Sequence, residues 1–172
     1  MAQYPDHLNQ VNSNLKFLAS INEHSNKFVD WQVTTAFYAG VHLINSFLAR
    51  EVDAHFNSHE RVKHAISPDS SIAKTRLDES TYLAYVKLRN LSRRSRYLCS
   101  SEGDPNAEVE RAHFILEKHF TKAFIHLDKL LCHFYSRYND AYEVTTIMYA
   151  FNSPTPNCKF FKFQKHPVVV AA

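Results

Sequence analysis

Glycine is nearly missing from this chain: Gly40 and Gly103 are the only two in 172 residues. So few exclude a turn-rich all-β fold, and they leave no glycine loop of the P-loop or dinucleotide-binding type to cradle a phosphate. Cysteine is scarce too. Cys99, Cys132 and Cys158 are an odd number, widely spaced and outside any paired motif, which predicts reduced thiols and a cytoplasmic setting. No apolar run approaches the ~20 residues that cross a bilayer. The stretch Met1 to Asn14 is polar and lacks the basic-then-apolar pattern of a secretory signal, so no membrane association is expected. No Ser-His-Asp or Cys-His set and no pair of carboxylates stands out locally, which leaves hydrolases of those classes unsupported.

What is present is ordinary for one globular domain. The residues are 45% hydrophobic and 22% charged, and a chain of this length buries enough apolar surface to need no disulfide or metal. The net charge is +3 with eleven histidines counted neutral, a mildly basic balance that permits an acidic partner without demanding one.

Apolar spacing predicts helices nearly throughout. Leu8, Val11, Leu15 and Leu18 step by three and four along a first helix, with Asp6 as its expected cap and an end near Asn26. A second helix from about Asp30 to Arg50 carries two stripes. Val33, Phe37, Val41, Ile44 and Leu48 lie on a broad aliphatic face, and Trp31, Tyr38, His42, Asn45 and Ala49 form a second, aromatic-polar line. Two stripes predict a central helix touching neighbours on two sides. A short helix from Ser58 to about Ile66 ends at Ser67-Pro68. A fourth helix, about Asp78 to Cys99, packs through Ala84, Leu88, Leu91 and Leu98. Asp104-Pro105 starts a fifth that reaches Arg137, and its line Val109, Ala112, Leu116, Phe120, Ala123, Leu127, Leu130, Phe134 is near-heptad. From Tyr142 the chain turns β-branched and aromatic, which reads as an extended arm or a β-hairpin.

Three groups of residues suit chemistry. On the fourth helix Arg89, Arg93 and Arg96 share a face with Tyr82 and Tyr85, an arrangement fit for phosphate contact and base stacking; the plainer reading is a solvated face. His59 and Arg61 open the short helix, fit either for an anion or for capping and surface charge. His59 and His64 are one residue too far apart for the zinc-protease spacing, so no metal is expected there. His42 lies mid-helix, either as a satisfied core histidine or as an acid–base group. His119, His126 and His133 recur at sevens beside the fifth helix's core line, ~10 Å per step, too far apart to share one metal.

Trp31 with Phe37-Tyr38-Ala39-Gly40-Val41-His42, then Ser58-His59-Glu60-Arg61, then Leu91-Ser92-Arg93-Arg94-Ser95-Arg96-Tyr97 form an ordered set that resembles a group of HEPN-like proteins. The resemblance spans roughly residues 28 to 100. It implies an up-and-down helical bundle, frequently dimeric. Many such proteins are ribonucleases in toxin–antitoxin, defence or stress systems, and others only bind nucleotides or partners. The family signature is an Arg, a polar residue and a His four to six residues after the Arg. Arg50 and His55 meet that spacing, with Glu51 in the second place and with the pair at the end of helix 2 rather than in the usual later helix. Matched to the subgroup, His42, His59, Arg61, Arg96 and Tyr97 are the shared-site candidates.

The expectation is therefore an all-α bundle of four longer helices plus one short helix over residues 1–140, with a C-terminal extended arm or β-hairpin over 141–172. Its expected function is RNA- or nucleotide-directed, in the manner of a metal-independent ribonuclease of a defence or stress system. His42, His59, Arg61 and Arg96 are the catalytic candidates. Tyr38, Asn45, Arg89, Arg93 and Tyr97 are the substrate contacts, and no metal or cofactor is expected. The alternative is a non-catalytic interaction or scaffold protein acting through dimerisation or a partner protein. Phe114, Ile125 and Cys132 line up on the fifth helix away from its core face, to be covered by the C-terminal arm from Tyr142 onward or by a second copy of the chain, and a homodimer with helix 5 or the arm in the interface is expected.

Overall fold

The computed structural model describes residues 2–24, 28–97, 112–149 and 155–165. In chain order the helices are α1 (Tyr4–His24), α2 (Val29–Val52), α3 (His59–Ala65), α4 (Glu79–Tyr97) and α5 (Ala112–Tyr138), with a 3₁₀ turn at Ala73–Thr75. Strands β1 (Thr145–Tyr149) and β2 (Phe161–Lys165) follow. The helical bundle and its C-terminal arm match the expected class. No helix among the described residues is long and apolar enough to cross a membrane.

The helix starts differ from expectation for a local reason. Asp6 does not cap α1 from outside. It sits in the first turn and its carboxylate accepts the Gln3 N–H at 2.8 Å, the backward-reaching half of a capping box. Asp30 likewise lies inside the first turn of α2, where a carboxylate favours the positive end of the helix dipole. Asp78 does cap α4, accepting the Thr81 N–H at 2.9 Å. The expected start of α5 at Asp104-Pro105 and the expected end of α4 at Cys99 lie outside the described residues.

Helix α2 is the centre, packed against α1, α4 and α5. Phe37, Ile44 and Leu48 on α2, Val11, Leu15 and Leu18 on α1, Leu88 on α4 and Leu127 and Leu130 on α5 are fully buried. Gly40 lets α4 and α5 come close: a Cβ there would stand 3.0 Å from Leu88 Cδ2 and 3.5 Å from Leu130 Cδ1. Tyr85 belongs to this core. Its ring is fully buried and packs on Phe37 at 6.1 Å, so it is not part of the open arginine face expected of α4.

The arm holds two strands, but they pair in parallel, Thr145 opposite Phe161 through Tyr149 opposite Lys165. A hairpin is antiparallel by construction, so the hairpin form of the expectation is corrected. The arm is pinned by a buried carboxylate on α5. Asp128 accepts the backbone N–H groups of Lys159 and Phe160 at 3.1 and 2.7 Å. Phe161 meets Phe124 edge-on at 5.1 Å, and Ile147 is fully buried. Cys132 is thereby partly buried against the core within one chain. Ile125 stays 40% exposed, and the Phe114 side chain lies outside the described set.

Candidate functional site

The second stripe of α2 runs from solvent into the protein. Trp31 is 59% exposed, Tyr38 37%, His42 is half-buried and Asn45 is buried. Where α2 ends, Asp53 takes a left-handed conformation (φ 49°), which short polar side chains tolerate. The chain then returns alongside α2. His55 arrives at the level of His42, and His59, the first residue of α3, arrives at Phe37 and Tyr38.

At the His42 level three imidazoles form a chain. His7, from the first turns of α1, is buried, and its Nδ1 lies 3.2 Å from His42 Nδ1. Its Nε2 lies 3.0 Å from Nδ1 of the exposed His55, and the two rings stack at 5.0 Å. The three rings do not converge on one point, because His7 offers a different nitrogen to each neighbour. Among the described residues no group of three or more His, Cys, Asp or Glu is arranged to hold a metal ion. Burial, and then the nearby His42 and His55, push His7 down to about 4, against the opposing pull of Asp6. Burial and His55 also hold His42 below the usual imidazole value. Both rings are neutral near pH 7 and free to pass a proton.

One helical turn along α2, a second cluster forms. His59 packs edge-on against Phe37 at 5.1 Å and Tyr38 at 6.2 Å. The Arg96 guanidinium lies over the Tyr38 ring, 5.9 Å from its centroid. Arg89 is ion-paired with Glu60, the second residue of α3. Burial lowers the proton affinity of His59, and the positive field of Arg89 and Arg96 lowers it further against Glu60. Residues i and i+4 on a helix are neighbours, with Cβ atoms ~5–6 Å apart, so Tyr38 and His42 join the two clusters on one face of α2.

Comparison of the chain with protein-family models, with characterised proteins and with solved structures gives no match.

The structure therefore groups Tyr38, His59, Arg96 and the Glu60-paired Arg89, with His42 one turn away. Several expected members sit elsewhere. Arg61 is exposed on α3, with no hydrogen bond, ion pair or ring contact to either cluster among the described residues. Asn45 is buried, with its Oδ1 lacking a hydrogen-bond partner among the described residues. Arg93 is half-buried on α4, and the Tyr97 side chain lies outside the described residues. The Arg50–His55 spacing does not form a pair. Arg50 lies over the rings of Tyr138 and Tyr4, at 4.1 and 4.8 Å, and bridges to Asp140 at 3.4 Å, while His55 turns to His7. His7 was missed altogether. Its only signal was position, four residues before the buried Val11 on the inward face of α1.

Proposed function

We propose that this is an HEPN-like protein that binds RNA and cleaves it without a metal, at the face of α2 shared by Tyr38, His42, His59 and Arg96. The single observation that carries this reading is convergence: three motifs far apart in sequence supply an exposed aromatic ring, neutral imidazoles and a guanidinium to one helix face. A neutral imidazole takes the proton of a ribose 2′-hydroxyl and, carrying it, protonates the leaving 5′-oxygen, while Arg96 offsets charge building on the phosphoryl oxygens. Tyr38 offers a surface on which an unpaired base stacks. The test is cleavage of a labelled single-stranded RNA in excess chelator, with 2′,3′-cyclic phosphate ends as the expected product. His42→Ala and Arg96→Ala should each slow it by roughly a hundredfold or more. A protein that neither binds RNA at low salt nor cuts it refutes the reading.

A second reading, a non-catalytic interaction module, draws on one observation. Arg89 spends its charge on Glu60 and so ties α4 to α3. We also propose a homodimer, supported by the exposed Ile125 on α5. Light scattering at micromolar concentration tests it, and a 20.0 kDa species would refute it.

A further inference from the structure

Both ring nitrogens of His7 are engaged by other imidazoles, His42 on one side and His55 on the other. A neutral imidazole has one N–H and one bare nitrogen. His7 therefore donates to one neighbour and accepts from the other, and the proton positions of all three rings are tied together. Only two neutral arrangements satisfy both contacts. In the first, His42 donates from Nδ1 to His7 and His7 donates from Nε2 to His55, which leaves the His42 Nε2 bare. In the second, His55 donates from Nδ1 to His7 and His7 donates from Nδ1 to His42, which leaves the His42 Nε2 protonated. The first makes His42 a base at Nε2, and the second makes it an acid there.

We infer that His7 is a positioning residue that carries protons between His42 and the exposed His55, so that His42 exchanges with solvent through the protein rather than through the substrate. The inference rests on the reading of His42 as a group that handles a ribose proton. When His42 Nε2 takes that proton, its Nδ1 proton moves to His7 Nδ1. The His7 Nε2 proton moves to His55 Nδ1, and His55 releases its Nε2 proton to water. One proton enters the chain and one leaves, and the rings end in the second arrangement. Donation from His42 Nε2 to a leaving oxygen, with uptake at His55, restores the first. Burial of His7 keeps a cation from resting midway. Asp6 is the other charged group acting on His7, and it eases the transit without neutralising it.

The experiment uses the full chain labelled with ¹⁵N at histidine. Long-range ¹H–¹⁵N spectra at pH 7 should place the three rings in one of the two matched sets. In His7→Gln, whose amide does not titrate, a proton added at His55 should no longer switch the His42 tautomer, leaving only the small through-space shift from the His55 charge. His7→Asn keeps a polar atom toward His42 and serves as the second variant should the first fold poorly. In the RNA assay, kcat of His7→Gln should fall about tenfold to a hundredfold with KM unchanged. Added imidazole buffer should restore it in the variant and leave the wild type unaffected, a response that a packing role would not give. A His42 tautomer that responds to pH alike in wild type and variant overturns the relay. Linked ring signals without any RNA turnover overturn the RNA reading and uphold the relay.

Discussion

Acid should loosen this protein through His7, by an amount set by its burial. In the unfolded chain the imidazole titrates at its ordinary 6.5, and in the fold it drops to about 4. The unfolded state thus binds more protons between those values, and stability rises with pH across the same window. The His7 contribution is fully present above pH 6.5 and is lost as pH falls toward 4. A shift of this size is worth ~3 kcal/mol in full, most of which is gone at pH 4.5. Other histidines add to the wild-type slope. His126, on α5, is also pushed down to about 4 by burial and then by Lys87, Lys129 and Lys122. The measurement is therefore a difference: urea unfolding of wild type and His7→Gln at several pH values from 7.5 to 4.5. The variant is expected to be the less stable near neutrality and to lose ~2–3 kcal/mol less on acidification. Parallel curves for the two proteins would refute the assignment of a buried, hydrogen-bonded neutral imidazole at this position.

Removing the Asp128 carboxylate should release the arm. Asp128→Ala leaves two backbone N–H groups without their charged acceptor, at a cost of about 3 kcal/mol, and limited proteolysis should then cut within residues 155–165; an uncut arm would mean that Phe160 and Phe161 hold it alone. Burial, Asp128 and Cys132 push the Cys158 thiol up to about 12, so its alkylation at pH 8, read on its own peptide, should be roughly a hundredfold or more slower than that of a free thiol, and Asp128→Ala should restore it. Arg96→Ala should weaken RNA binding and lower the salt slope by about 1. Arg89→Ala should instead change stability more than binding, because Glu60 already neutralises it; equal effects of the two on binding would contradict that pairing.

The helices were legible because each apolar line answers to one period. Val11, Leu15 and Leu18 step by four and three, Phe120, Leu127 and Phe134 by seven, and burial follows the step. Tyr85 escaped because a tyrosine four residues from Arg89 reads as surface, yet its position aligns with Leu88 and Phe37 inside. Strand direction escaped for a deeper reason. β-branched and aromatic residues at 145–149 and 161–165 mark two strands, but nothing in that composition distinguishes parallel from antiparallel pairing. The anchor that fixes the second strand is an aspartate on another helix, seventeen or more residues upstream of both strands.

The site shows the same division between what spacing fixes and what it does not. Tyr38 and His42 share a face because both lie on one helix, and four residues is close to one turn. Arg50 and His55 satisfy a spacing as well, but a helix boundary falls between them. Asp53 breaks the helix with a positive φ, so five residues no longer correspond to any fixed angle or rise. Past that point each side chain goes where its best partner is. Arg50 finds Asp140 and two tyrosine rings, and His55 finds His7 forty-eight residues away. A motif defined by spacing carries geometry only while one secondary-structure element spans it. The left-handed turn at Asp53 is what trades an Arg–His pair for a three-histidine chain.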